Sequence, residues 1–186
     1  MRNLLHGKLV RLTALDPEEL GKALSNWDRD TEFHRLLEAD ASRTISVKAA
    51  KDWLEKELQK EDANVFWFTI RACNDDHLLG DIILEVVNWA ARDAFVGLGI
   101  GERDFWGRGY GTEAMNLMLE FAFNEINLRR VTLTVFEYNP RAIHCYEKAG
   151  FHHEGRMRQY LSREGKRWDE LYMGILREEW KAPNGL

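Results

Sequence analysis

Trp106-Gly107-Arg108-Gly109-Tyr110-Gly111-Thr112-Glu113-Ala114 lies between a strand-like run and a long amphipathic stretch, and its reading decides the fold. Three alternate glycines remove side chains where N–H groups at a helix start can close on an anion, which the helix dipole also favours. On this reading the backbone amides of Trp106 to Thr112 hold a pyrophosphate. The plainer reading is a tight connection whose glycines supply positive φ. Two familiar nucleotide loops fail on spacing. Position 112 is Thr, so no G-x-G-x-x-G forms, and Gly150-Phe151-His152-His153-Glu154-Gly155 is followed by Arg156 rather than Lys.

Upstream of the loop, Phe95 to Ile100 reads as a strand carrying Gly97 and Gly99, with Gly101 just beyond. Glycines weaken a strand interior and mark a bulge, a crowded helix contact or a ligand close to the backbone. Val65 to Ile70 and Leu78 to Trp89 are β-branched or aromatic runs on either side of Asn74-Asp75-Asp76, an antiparallel hairpin. Lys8 to Thr13 is a first strand, ended by Asp16-Pro17-Glu18-Glu19, a helix cap with proline at the first helical position. Thr31 to Leu37 and Ser46 to Leu58 place apolar residues at three-and-four spacing and read as amphipathic helices. Downstream, Thr112 to Ile126 reads as one long helix and Arg130 to Phe136 as the strand after it. Asn139-Pro140 then caps a helix that Gly150 ends, and Phe151 to Leu161 with Trp168 to Leu176 form a closing hairpin. Hairpins and crossovers together give an α/β or α+β class with a mixed sheet.

At 186 residues, with 45% hydrophobic residues and only 3 prolines, the chain reads as one domain over 1–186 with a packed core. Its net charge of -5 opposes the broad basic surface that nucleic acid requires and suits an amine better than an acid as second ligand. Cys73 and Cys145 sit far apart in no metal or redox spacing, so a reducing cytoplasm is the expected location. Met1 to Lys8 reaches charge and glycine before a signal-length apolar region, and no apolar run is long enough to span a bilayer, so no membrane partner is expected.

The quoted loop resembles the acyl-CoA pyrophosphate loop of the GNAT-type N-acetyltransferase superfamily, whose pattern is Gln or Arg, two residues, Gly, any residue, then Gly or Ala. Gly109 and Gly111 match, whereas Trp106 departs from the Gln/Arg position. The run W-G-R-G-Y-G-T-E-A is nonetheless similar to the RimJ/RimL-type branch, which acetylates ribosomal-protein N-termini, amino acids and polyamines. Asn139-Pro140-Arg141-Ala142-Ile143-His144-Cys145-Tyr146-Glu147-Lys148-Ala149-Gly150-Phe151 looks like the family's N-x-x-[SA]-x-x-x-Y-E-K-x-G-F segment, so two motifs occur in the right order. The resemblance runs from about Lys8 to Trp180. It implies a single domain with a mixed, mostly antiparallel central sheet of about seven strands flanked by helices.

It also implies a site. Acetyl-CoA is the cosubstrate, with pantetheine pairing along Leu98, Gly99 and Ile100 like an added strand and the pyrophosphate on Trp106, Gly107, Arg108, Gly109, Tyr110, Gly111 and Thr112. Gly97, Gly99 and Gly101 would permit that approach. Asn139 and Tyr146 are seven apart on one helix and face one cleft. Asn139 serves as a helix cap with a cofactor contact. Tyr146 gives its proton to the departing thiolate, while an amine attacks the thioester directly and a backbone N–H steadies the oxyanion. Ala142 leaves no hydroxyl at a position where many relatives have Ser.

The base is less determined, because Ala94-Phe95-Val96 replaces the Glu that relatives often carry on this strand. Asp81, Glu85 and Glu137 are the candidates, with Glu137 and Glu85 ranked first. Bulk water with a neutral amine would need none of them. No metal is expected, since His144, His152, His153 and Cys145 repeat no ligand spacing. Trp89 borders the expected acceptor side. The acceptor is a small-molecule or peptide amine of undetermined identity, and oligomeric state stays open between monomer and homodimer. The competing function is an acyl-CoA-binding regulatory module without turnover.

Overall fold

The computed structural model describes residues 3–181; Met1 and Arg2, read above as the charged start of the chain, lie outside them. In chain order the elements are β1 (Val10–Thr13), α1 (Pro17–Trp27), α2 (Thr31–Leu37), α3 (Val47–Leu58), β2 (Val65–Ala72), β3 (Leu78–Asn88), β4 (Asp93–Ile100), α4 (Tyr110–Glu120), β5 (Arg130–Phe136), α5 (Pro140–Ala149), β6 (His152–Arg163) and β7 (Lys166–Leu176). The caps read from sequence form as expected. Asp16 accepts from the Glu18 N–H at 2.8 Å with Pro17 behind it, and Asn139 accepts from the Ala142 N–H at 3.1 Å with Gly150 closing α5 at φ 101°.

One seven-stranded sheet has the order β1-β2-β3-β4-β5-β7-β6. Every neighbouring pair is antiparallel except β4 and β5, which run parallel. The larger core lies between the sheet and α4, built from Met115, Leu117, Met118, Leu119 and Phe123 against Ile82, Leu84, Val96 and Leu133. A smaller core under α1, α2 and α3 gathers Leu20, Trp27, Phe33, Leu54 and Leu78. No helix among the described residues is long and apolar enough to cross a membrane.

The stretch expected as one helix from Thr112 to Ile126 differs in two respects. It begins at Tyr110, and after Glu120 it widens into a π turn over Phe121–Glu125. The wider turn turns Phe121 onto Phe66 and Phe68, with ring centroids 5.5 Å from each, while Phe123 stays buried. A 3.6-residue pattern does not reveal that change of pitch, because the apolar residues continue through it.

The feature that positions the site is the junction of β4 and β5. Their pairing is confined to Asp93↔Arg130, Ala94↔Val131 and Phe95↔Thr132, after which the strands diverge. β4 stays paired with β3 as far as Ile100, opposite Gly80. The sheet is therefore split open from Val96 onward, and residues of both α2 and α5 line the opening.

Candidate functional site

On the α5 side, β4 presents an edge with no strand partner, which is what an extended ligand needs to add as a strand. The loop after it is tied back to that edge: the Trp106 indole N–H donates to the Ile100 carbonyl at 2.6 Å. Gly107 and Gly109 have φ of 72° and 93°, so the positive-φ reading of the loop holds. α4 opens at Gly109 without a capping side chain. The first N–H groups of a helix have no intrahelical acceptor. Among the described residues no other acceptor meets the amides of residues 107–112. Glu113 does not crowd this cradle, since its carboxylate accepts the N–H groups of Lys8, Leu9 and Val10 at 3.2, 2.6 and 2.7 Å and clamps the start of the chain.

A cleft of about 180 Å³ follows this surface. Of the residues expected at the cofactor, Leu98 and Ile100 form its β4 wall, Trp106, Gly107, Gly109, Gly111 and Thr112 its loop wall, and Asn139 and Tyr146 its α5 wall. The side chains of Arg108 and Tyr110 line no cleft; Tyr110 packs edge-on against Phe105 at 4.9 Å, leaving only their amides at the cradle. Arg141 and Lys148 supply positive charge that the sequence reading did not assign. The Arg141 guanidinium lies 3.7 Å from the Trp106 ring centroid, a stacked cation–π contact. Their seven-residue spacing within the Asn139–Phe151 motif was the available signal, since it sets both on one face of α5.

Asn139 is buried and fully engaged, capping α5 through Oδ1 and donating from Nδ2 to the Leu36 carbonyl at 3.4 Å. Tyr146 is 8% exposed and rests edge-on against Phe151. Among the described residues no group bonds its hydroxyl, so the ordinary structural partner of a buried tyrosine is missing. Burial, with a smaller contribution from Cys145, holds its pKa well above the usual phenol value. It stays protonated at every pH in normal use.

A second cleft, of about 430 Å³, opens on the α2 side and meets the first at Leu36, Leu37, Leu98, Asn139, Ala142 and Tyr146. Its floor is β3 and β4, where Gly97 and Gly99 leave room beside Ile83 and Asp81. The three glycines therefore divide. A Cβ on Gly101 would lie 2.0 Å from the Trp27 ring, so that glycine serves close packing and not ligand approach. Cβ atoms on Gly97 and Gly99 would sit 3.2 Å from Ile83 and 3.3 Å from Leu37, filling the cleft floor.

Three carboxylates line this cleft, from Glu38, Asp81 and Glu170, and no Lys or Arg does. Asp81 accepts from the Trp67 indole N–H at 2.8 Å, and burial pushes its pKa up to about 6. The two carboxylates ranked first from sequence are placed elsewhere. Glu85 is exposed and lines neither cleft, and Glu137 is committed to the β5–β7 border, where it accepts from the Asp169 N–H at 2.8 Å. Trp89 likewise lines neither cleft; its indole donates to Asn64 at 2.6 Å.

The roof over the second cleft is α2 with residues 38–40, and Arg163 fastens it. Its guanidinium donates to the carbonyls of Arg35, Glu38, Ala39 and Asp40 at 2.7 to 3.4 Å, and to the Tyr138 hydroxyl at 2.6 Å. Cations at a helix C-terminus complement its free carbonyls and dipole.

Residues 10–152 match the acetyltransferase (GNAT) domain family. Among curated proteins, the probable N-acetyltransferase YjcK of Bacillus subtilis (strain 168) is 29% identical over 178 residues, covering 93% of this chain and 97% of that protein. The L-amino acid N-acetyltransferase AaaT of Escherichia coli (strain K12) is 34% identical over 103 residues, 55% of this chain and 64% of that protein. Among solved structures, spermidine N-acetyltransferase from Vibrio cholerae in complex with CoA and spermine superposes with a TM-score of 0.80 at 22% identity, over 93% of this chain and 98% of that one. That last likeness is one of fold.

Proposed function

The chain belongs to the GNAT acetyltransferase family, and from that premise we propose that it moves an acetyl group from acetyl-CoA to a primary amine carrying positive charge, with Tyr146 as the proton donor. One observation carries the reading: two clefts of opposite charge meet at Tyr146. The side with Arg141, Lys148 and the open amides suits phosphates, and the side with Glu38, Asp81 and Glu170 suits an ammonium. The Trp106 bond to the end of β4 and the Glu113 clamp give physical roles to residues of W-G-R-G-Y-G-T-E-A, in keeping with the RimJ/RimL-type branch.

The cradle fits the cosubstrate, since a side chain at Gly109 would demand a strained backbone and the helix start has no cap of its own. Residues 98–100 would hold pantetheine, and the 107–112 amides with Arg141 would hold the phosphates. When bound, acetyl-CoA supplies an activated acetyl thioester. N–H groups along the open β4 edge face charge developing on the carbonyl oxygen. The Tyr146 hydroxyl, free of protein partners, donates toward sulfur as the C–S bond breaks.

The test has two arms. Acetyl-CoA is expected to raise the melting temperature where NAD and ATP do not, because a ligand bound only by the folded state stabilises it by mass action. Release of free CoA is then followed against polyamines, amino acids and N-terminal peptides. Turnover greatest with cationic amines supports the proposal. Binding without turnover on any amine replaces it with an acyl-CoA-binding regulatory module.

A further inference from the structure

We propose that Asp81 receives the acceptor as its ammonium ion and takes a proton from it, making the nitrogen nucleophilic inside the cleft. The inference rests on the acetyltransfer reading above.

The register places the residue. Asp81 pairs with Gly99 across the β3–β4 ladder, so both project to the α2 face, and next along that face Ile83 pairs with Gly97. Asp81, both glycines and Tyr146 line one cleft, and a Cβ at either glycine would narrow it. Asp81 stands one strand in from the open β4 edge, where the thioester has to lie if pantetheine pairs there.

The chemistry of the carboxylate points the same way. Asp81 is partly buried, and carboxylates withdrawn from water ordinarily have a cation or several donors. Asp81 has one neutral donor, the Trp67 indole on Oδ2, and no ion pair among the described residues. The other titratable groups of this cleft are Glu38 after α2, Tyr146 on α5, Tyr160 on β6 and Glu170 on β7. Each is anionic or neutral, and the guanidinium of Arg163 at the roof is taken up by carbonyls and Tyr138, so an ammonium entering here meets carboxylates and no lining cation. Burial also brings the carboxyl to about 6, close to the pH at which a base works.

The protons balance as follows. The ammonium gives one proton to Asp81, the freed lone pair forms the C–N bond, and the C–S bond breaks with its electron pair on sulfur. Tyr146 gives sulfur its proton and regains one from the amide-forming nitrogen, while Asp81 returns its proton to solvent. The missing Glu of β4 is thus supplied from the neighbouring strand.

The experiment is the pH dependence of kcat/KM for the best amine with wild type and Asp81→Asn, a change that keeps an acceptor for Trp67. In wild type, kcat/KM is expected to rise through pH about 6 and level off, because the abundant ammonium is the species bound. In Asp81→Asn only the neutral amine reacts. Its kcat/KM should fall on the order of 10²- to 10⁴-fold at neutral pH and climb tenfold per pH unit toward the amine pKa of about 10. Calorimetry is expected to show unchanged acetyl-CoA affinity, with weakened amine binding to the CoA complex. An active wild type together with an Asp81→Asn variant within threefold of it, showing the same profile, overturns the role of Asp81 alone. A wild type that climbs steadily to pH 10 does the same. A wild type silent with every amine overturns the acetyltransfer reading and this inference together.

Discussion

Asp81→Asn should make the protein more stable at neutral pH while cutting its turnover. The carboxyl is moved from an ordinary 3.8 to about 6 by burial, so the fold disfavours its charged form. A group whose folded pKa lies above its unfolded one adds stability below the unfolded value and loses it as pH rises through the folded value. For Asp81 the loss runs from pH 3.8 to about 6 and is complete above neutrality. At about 1.36 kcal/mol per tenfold change in acidity, the ceiling is about 3 kcal/mol. The carboxylate borders an open cleft, and solvent there brings the expected cost down to about 2 kcal/mol. In a domain of this size that corresponds to a rise in Tm of about 4–8 °C for the variant at pH 7.5.

Calorimetric melts of both proteins from pH 4 to 8 check this, because their difference cancels every other titration. The gap should be near zero at pH 4, open between 4 and 6, and stay constant above 7. A variant no more stable than wild type at pH 7.5, or a gap that ignores pH, would show that Asp81 carries no buried charge. A surface carboxylate has no such signature, and a structural one has the opposite sign.

Tyr146→Phe keeps the ring and its Phe151 contact, so acetyl-CoA affinity by calorimetry should hold while turnover drops on the order of 10²- to 10⁴-fold; a loss under tenfold removes Tyr146 from the mechanism. Because its pKa is raised, the wild-type profile should show no alkaline limb from this residue. Gly109→Val forces a β-branched side chain to φ 93°, costing about 1–3 kcal/mol and distorting the cradle; a native circular dichroism spectrum with unchanged CoA affinity would remove the loop from cofactor binding. Arg163→Met releases four carbonyls at the roof of the second cleft, so if the amine binds there its KM should rise several-fold with acetyl-CoA affinity unchanged, and an unaltered KM would mean the roof does not shape an acceptor site.

Elements with local signals were legible in the sequence. α2 and β5 coincide with their expected spans, and Asn139, Pro140 and Gly150 bound α5 as read, because capping chemistry acts within three or four residues. The proposed donor side could be read locally for the same reason: its loop, its helix start and Tyr146 fall within two short segments. What escaped depends on partners distant in sequence. Gly101 resembles its neighbours in sequence, but Trp27, far upstream in α1, packs against it. Glu137 ends its strand beside Asn139 but is claimed by the backbone of Asp169. Arg163 ends β6 just before an unremarkable hairpin turn, and only the fold brings it under α2.

The acceptor side follows from this division. Carboxylates on strands announce a face by alternation, yet two candidates on β3 and one just past β5 differ in which face is covered and in where the sheet splits, and neither is a local property. The β4–β5 divergence decides it. It begins past Phe95, opposite Glu85, so Glu85 lies where the sheet is still closed and its face is open to solvent. Asp81 lies opposite Gly99, well inside the split and beneath α2. Two strand pairs along the same ladder separate a solvated carboxylate from one held in the cleft, and the geometry of a neighbouring strand, with no residue of its own to mark it, makes the difference.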